Sequence, residues 1–207
     1  MKKGEPKMRK AKKAYSINDF TEEKQREIVK AIRETFEPEF YDEGPRQDFT
    51  EKLKEQGFND PTFHWSGFWS QGDGASFTAT VDIGQYIKAH SRELAQAGFN
   101  LFDLRKVAYG NHGEDWEVVD TRITQSGHYY HAGTMSIGSI EVSGEAPEEL
   151  EKAMGKLEDL ILSDARDLAE DFYKALEKEY EYESSFEYIK EEIEANDHKF
   201  TIEGEHI

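Results

Sequence analysis

Apolar residues near the start of the chain recur at helical spacing. Ile28, Ile32 and Phe36 lie four residues apart, which places them on one face of a helix. This pattern predicts an amphipathic helix that is capped by Asn18 or Thr21 and runs to about residue 36. A turn at Gly44 and Pro45 is expected to precede a second short helix, which ends at residue 57.

The period of the pattern changes to two between residues 62 and 82. Four apolar residues alternate there with polar ones: Ala75, Phe77, Ala79 and Val81. Such alternation is typical of a strand with one buried face and one polar face. Two alternating stretches, separated by a Gln-Gly-Asp-Gly segment at residues 71–74, predict a β-hairpin.

A second hairpin is predicted further along the chain. Its first strand is expected over residues 116–124, its turn at residues 125–127 and its second strand over residues 128–142. Between the two hairpins, the pattern of residues 83–97 predicts a helix that ends at Gly98.

The longest predicted element is a helix over residues 147–180. Leu150, Ile161 and Phe172 lie eleven residues apart, a spacing close to the natural period of a helix. The apolar stripe therefore stays on one side of the helix, and that side can pack on the sheet. Five residues are expected to be buried together: Trp65, Phe77, Leu157, Ile161 and Leu168.

These elements together predict an α+β fold. We expect an antiparallel sheet of two β-hairpins, with N-terminal helices and a long C-terminal helix packed on it. A chain of 207 residues fits one domain. The predicted organisation is a flexible basic arm over residues 1–15 and a single α+β domain over residues 16–207.

The charge of the chain is unevenly distributed. The total is −18, yet residues 1–13 contain seven basic residues and one acidic residue, whereas residues 145–207 contain 21 acidic and seven basic residues. An acidic body repels nucleic acid and attracts basic partners. Its simpler interpretation is solubility, and both remain open. The acidic surface is predicted on the late helix, at Glu170, Asp171, Glu177 and Glu179.

Composition excludes several classes of protein. The chain has no cysteine, which removes disulfides, thiolate metal sites and cysteine nucleophiles. It shows no secretory signal and no stretch of about 20 apolar residues. We therefore expect a cytoplasmic protein without a membrane segment. No motif for a cofactor is present, and none is expected.

Residues 66–77 form the most distinctive stretch, Ser-Gly-Phe-Trp-Ser-Gln-Gly-Asp-Gly-Ala-Ser-Phe. In one interpretation the glycines form the hairpin turn and Asp73 bonds its own backbone. In the other, the glycines let a ligand or partner approach, while Ser70, Gln71, Asp73 and Ser76 supply polar contacts. The stretch is not a phosphate-binding loop, because no Lys-Ser or Lys-Thr pair follows it.

Two histidines in the predicted second hairpin invite a metal interpretation. On a regular strand His128 and His131 would point to opposite faces, because they are three residues apart, so no metal site is expected. His128 and Tyr130 could instead accompany Arg122 on one face, as a polar patch for an anion or a peptide. Aromatic residues on an exposed sheet can also stack on nucleic-acid bases, which gives a further interpretation of this hairpin.

The stretch at residues 66–77 resembles a motif of an uncharacterised family common in tailed bacteriophages. Some members of that family are labelled as antitoxins of toxin–antitoxin systems. The resemblance continues at Arg122, at residues 128–131 and in the late helix around residues 168–182, but leaves out the basic arm. It implies a phage accessory protein in the cytoplasm of the host cell, and it does not imply a particular activity.

Three hypotheses on function follow. The first, which the sequence favours, is a non-enzymatic protein that binds and modulates a basic host protein, such as a nucleic-acid-binding enzyme, in an anti-defence or antitoxin-like role. The second is an enzyme or ligand-binding protein for a nucleotide-like molecule, with a site at His64, Asp73, Ser76, Arg122 and His131. The third is an RNA-binding protein that uses residues 1–13. A homodimer through the long helix is a further possibility.

Overall fold

The computed structural model describes residues 13–35, 40, 42–109, 116–145 and 147–207. Most of the predicted basic arm, residues 1–12, therefore lies outside the described residues. The chain divides into two compact units, one formed by Met1–Phe40 with Glu179–Ile207 and the other by Tyr41–Lys178. The single-domain organisation stays a prediction, and the two units are described separately.

Helices and strands alternate irregularly along the described residues. The helices are α1 (Glu22–Thr35), α2 (Glu43–Glu55), α3 (Ile83–Ala89), α4 (Ser91–Gln96), α5 (Leu101–Tyr109), α6 (Glu148–Glu183) and α7 (Phe186–Ala195). The strands are β1 (Phe58–Ser66), β2 (Gly74–Val81), β3 (Trp116–Val118), β4 (Thr121–Gln125), β5 (Met135–Ile137) and β6 (Val142–Gly144). The predicted α+β class is confirmed.

An antiparallel sheet in the order β1-β2-β4-β5 forms the centre of the Tyr41–Lys178 unit. Its two hairpins were predicted, but the second is shorter than expected. Residues 116–118 pair with β6 in a separate two-stranded sheet. Residues 128–134 were predicted as strand and instead form a loop that ends in a short 3₁₀ helix, Ala132–Thr134. A hydrogen bond from Ser126 N to Thr134 O (3.1 Å) closes this loop.

The sheet has one apolar face and one polar face. Phe63 pairs with Phe77 on the apolar face. The ring of Phe172 from α6 packs against Phe63, with 4.5 Å between the ring centroids. His64 pairs with Ser76 on the polar face. Helix α6 thus packs on the sheet as the eleven-residue repeat predicts, because that repeat keeps its apolar side turned to one surface.

Two helix boundaries differ from the prediction. Gly44 and Pro45 lie inside the first turn of α2 and form no separate turn. Proline is compatible with that position, since the first N–H groups of a helix have no partner within it. The predicted helix over residues 83–97 is divided at His90, which ends α3 and precedes α4.

Most of the predicted core is buried. Phe77, Leu157 and Ile161 are at most 1 % exposed, and Leu168 is also buried. Trp65 is only half-buried. Its indole N–H donates a hydrogen bond to Asp42 Oδ2 (2.6 Å), which holds one edge of the ring among polar groups.

The other unit has a small core of its own. Its buried members are Ile17, Ile28, Val29, Ile189, Ile193 and Phe200. The two ends of the chain meet in this unit, because Tyr15 and Phe200 exchange backbone hydrogen bonds of 2.9 Å. Among the described residues, no helix is long and apolar enough to cross a membrane.

Candidate functional site

Asp73 holds the turn between β1 and β2. Its Oδ2 accepts a hydrogen bond from the backbone N–H of Ser70 (2.6 Å), while its own N–H donates to Ser70 O (3.2 Å). A carboxylate that bonds the backbone of its own turn is a standard structural use of aspartate. The geometry therefore supports the structural interpretation of Asp73.

Trp69, beside that turn, is the most exposed large apolar side chain among residues 66–77. It is 74 % exposed, and its φ is 83°, in the left-handed region that a residue with a Cβ rarely adopts. The ring of the preceding Phe68 is less exposed and stacks on Trp65, with 5.5 Å between ring centroids. The backbone is thus arranged so that one aromatic ring packs and the next is presented to solvent.

Tyr173 of α6 fixes the base of this turn. Its hydroxyl donates a hydrogen bond to Gly67 O (3.0 Å), and its ring lies 5.6 Å from Phe68. Burial raises the pKa of Tyr173, and the negative charges of Glu177 and Asp73 raise it further. The tyrosine therefore keeps the proton that it donates.

The loop at residues 128–134 covers the polar face of the hairpin. A Cβ built on Gly72 would lie 2.8 Å from the ring of Tyr129, and one built on Gly74 would lie 2.8 Å from the Cβ of His131. Both distances are too short for a side chain. These two glycines therefore admit the protein's own loop, a role that the sequence did not reveal.

The predicted site residues Ser76 and Arg122 do not lie together. Ser76 is fully buried, and its Oγ has no hydrogen-bond partner among the described atoms. Arg122 is exposed opposite Thr80, four residues and roughly 14 Å along β2 from Ser76 at about 3.4 Å per residue.

Four other predicted site residues are accessible, in the two loops. Ser70, Gln71, His128 and His131 are exposed. The two histidines do not lie on a strand, so the argument from opposite strand faces does not apply to them. The ring of His64 is occupied by stacking on Tyr130, with 5.5 Å between centroids.

The predicted acidic surface on α6 is only partly exposed. Glu170 and Asp171 are exposed, whereas Glu177 and Glu179 are half-buried, which corrects their expected solvent-facing position. Asp171 also forms ion pairs with Lys52 (3.5 Å) and Lys174 (3.4 Å). Asp164 and Asp167, which the sequence analysis did not single out, extend the acidic side of the same helix.

A groove runs beside this acidic side, between α6 and the α3–α4 segment. It has a volume of about 250 Å³, and we call it the α6 groove; it is lined by Gln56, Tyr86, His90, Glu93, Leu94, Ala97, Leu160, Asp164, Asp167, Leu168 and Asp171. Tyr86 is almost fully buried, and its hydroxyl donates a hydrogen bond to Asp164 Oδ2. Burial, followed by the hydrogen bond and charge of Asp164, raises the pKa of Tyr86.

His90 forms part of the wall of the groove. Its ring stacks on Tyr86 with 4.3 Å between centroids, and its Nδ1 lies 3.7 Å from Asp164 Oδ2. Its Nε2 is buried and has no hydrogen-bond partner among the described atoms. The break between α3 and α4 at His90 places this ring against α6, where a continuous helix was predicted.

A family model described as a domain of unknown function, DUF8835, matches residues 40–185, well over half of the chain. The chain belongs to this family. Searches of curated proteins and of solved structures found no match. The DUF8835 match contains the whole Tyr41–Lys178 unit, and with it the turn between β1 and β2 and the α6 groove.

Metal binding by a protein without cysteine would require a cluster of His, Asp or Glu side chains. In the described ranges, no three or more His, Asp or Glu side chains are arranged to hold a metal ion. The carboxylates of the α6 groove can instead accept hydrogen bonds from an organic cation, since ionised carboxylates form their strongest hydrogen bonds with charged donors.

Proposed function

We propose that this chain is a non-enzymatic binding protein that engages a basic surface of another protein through the acidic side of α6. The observation that carries the proposal is the run Asp164, Asp167, Glu170 and Asp171 on one helix. Three of these four carboxylates are exposed. The bacteriophage resemblance supports a host protein as the partner, in the host cytoplasm, with an anti-defence or antitoxin-like outcome.

The physical basis of the proposal is electrostatic. With a net charge of −18 the chain creates a field that attracts basic surfaces. Complementary charge raises the rate of association more than it prolongs the complex. A nucleic-acid-binding face of a host enzyme has the required basic character, and the protein would then act as a mimic of nucleic acid.

The second hypothesis, an enzyme at the polar face of the sheet, has less support from the geometry. Ser76 is buried, Asp73 bonds its own turn and Arg122 lies at a distance from both. These groups do not converge on a common point where a substrate could bind, which a catalytic site requires.

The experiment compares two charge reversals of equal size. The test variant is Asp167→Lys with Glu170→Lys on α6, and the matched control is Glu117→Lys with Glu141→Lys. All four residues are exposed. Partners are captured from host cells at low salt, and association of a purified partner is followed by surface plasmon resonance across a salt series.

We expect the α6 variant to associate about tenfold more slowly than the wild type, and the control to stay within about twofold, because local charge steers encounter. Raising salt should slow association of the wild type and affect dissociation less. Equal loss in both variants would indicate a general charge effect. If deletion of residues 1–13 abolishes binding while the α6 variant binds normally, the RNA-binding hypothesis takes the place of this one.

A further inference from the structure

The α6 groove combines an apolar floor with an acidic rim. Leu94 and Leu168 are buried in the floor beside Tyr86. The rim carries four carboxylates, those of Glu93, Asp164, Asp167 and Asp171. A groove of this kind suits a group that is apolar along its length and cationic at its end.

The rim carboxylates are aligned by the helix. Asp164, Asp167 and Asp171 are separated by three and four residues, which places them on one side of α6 over a length of about 10 Å at 1.5 Å per residue. Leu160 and Leu168 lie on the same side, four residues before and four residues after Asp164. One wall of the groove therefore carries both apolar and acidic groups.

Asp164 is held in place before any partner arrives. The hydroxyl of the buried Tyr86 donates to Asp164 Oδ2, and His90 lies on the same side. A carboxylate fixed in this way loses little conformational freedom when it accepts a further hydrogen bond, which favours binding. Asp167 is exposed at the mouth of the groove.

We propose that the α6 groove receives one arginine side chain of the basic partner protein; this inference rests on the proposed function. The methylene stem would lie on Leu94, Leu160 and Leu168, as the stems of long cationic side chains do on apolar surfaces. The planar guanidinium would bond the carboxylates of Asp164 and Asp167 at the rim. Arginine suits such a site better than lysine, because its donors form a rigid fork that matches carboxylates.

The size of the groove agrees with a side chain as its occupant. At about 250 Å³ it is smaller than the roughly 300–1,000 Å³ typical of small-molecule sites. A nucleotide would moreover bring its phosphates against four carboxylates. Charge complementarity therefore selects a cationic occupant, and the acidic side of α6 that continues to Glu170 supplies contacts for neighbouring basic residues.

The test blocks the groove without changing its charge. Ala97 is exposed and lines the α6 groove, while Ala95 is also exposed on the same segment and lines a different cleft. We therefore compare Ala97→Trp with the matched control Ala95→Trp. The probe is a short fluorescent peptide of alternating leucine and arginine, with peptides containing citrulline or lysine in place of arginine as references, and the readout is Kd by fluorescence anisotropy.

We expect Ala97→Trp to weaken binding of the arginine peptide at least about tenfold, a loss of roughly 1.4 kcal/mol, while Ala95→Trp stays within about twofold. The citrulline peptide should bind the wild type no better than it binds Ala97→Trp. As a second variant, Glu93→Gln changes charge at the rim with little change of shape, and it should weaken the arginine peptide more than Glu141→Gln does. Melting temperatures identify any variant that fails to fold.

The outcomes separate the two proposals. If Ala97→Trp and Glu93→Gln bind the arginine peptide as the wild type does, while Asp167→Lys with Glu170→Lys abolishes partner binding, the groove proposal is wrong and the proposed function stands. If the α6 charge reversal also has no effect, the proposed function is wrong as well. Equal affinity for arginine and lysine peptides would overturn the assignment to arginine.

Discussion

The backbone of Trp69 has a positive φ, a conformation that is unfavourable for any residue with a Cβ. For a residue with a Cβ, the left-handed region costs about 1–2 kcal/mol, and here the ring remains 74 % exposed, so burial offsets little of that cost. Strain of this kind persists where surrounding contacts fix the backbone, often at functional positions. Tyr173 and Asp73 supply such contacts on either side of Trp69.

The first prediction is that glycine at residue 69 gives a more stable protein than alanine does, the reverse of their usual order in helices and strands. Trp69→Gly should be more stable than Trp69→Ala by about 0.5–1 kcal/mol, because glycine adopts positive φ without steric cost. Urea unfolding of both variants checks this. If Trp69 contacts a partner, both variants should also bind that partner more weakly. Equal stability of the two variants would show that residue 69 has left the left-handed region.

Sequence reasoning at this scale succeeded for local contacts and failed for distant ones. The turn at residues 71–74 and the role of Asp73 follow from residues within three positions of each other. The contacts of Gly72 with Tyr129 and of Gly74 with His131 join residues more than fifty positions apart. No periodicity in the sequence encodes them, so the glycines were read only as turn residues or as positions where a ligand or partner could approach.

Helix α6 carries the core of the Tyr41–Lys178 unit on one side. The second prediction is that Ile161→Ala lowers the free energy of unfolding by about 2–5 kcal/mol, because Ile161 is fully buried and its truncation leaves a cavity. The same change at Ile202, which is 66 % exposed, should cost much less. Denaturant unfolding provides the measurement, and similar losses at both positions would contradict the packing described for α6.

The elements were predicted best where the pattern was long. In α6 the apolar spacing is regular from Leu150 to Phe172, and the existence and buried side of the helix followed directly. The second hairpin was predicted too long, because its second strand was expected to begin at residue 128, whereas residues 128–134 form a loop over the polar face. The break at His90 was missed because the apolar spacing of residues 83–97 continues across it.

At the scale of the whole molecule, stability should depend on alkaline pH through Tyr86. Its pKa in the folded protein is raised above the ordinary value of 10.0, so the folded state keeps the proton when the unfolded state releases it. The contribution of this group is therefore complete below pH 10 and is lost as pH rises beyond it.

The third prediction follows from that sign. Above pH 10, the free energy of unfolding of the wild type should fall more steeply with pH than that of Tyr86→Phe. The difference in slope should be up to about 1.4 kcal/mol per pH unit. At neutral pH the variant should be less stable by about 1 kcal/mol, since it loses the hydrogen bond to Asp164. Chemical unfolding at several pH values measures both effects, and parallel pH profiles would show that Tyr86 ionises as readily when folded.

The pairing of Tyr15 with Phe200 has a consequence for the order in which the protein is made. A ribosome completes residues 41–178 before it adds Phe200. Every residue of the Tyr41–Lys178 unit therefore exists while the other unit still lacks the residue that pairs with Tyr15. At about 5–20 residues per second, this interval lasts on the order of seconds, long compared with the folding time of most small domains. During that interval, the apolar side of α1 around Ile28 is not yet covered by Ile189, Ile193 and Phe200. A chaperone that binds nascent chains would bind this exposed apolar side.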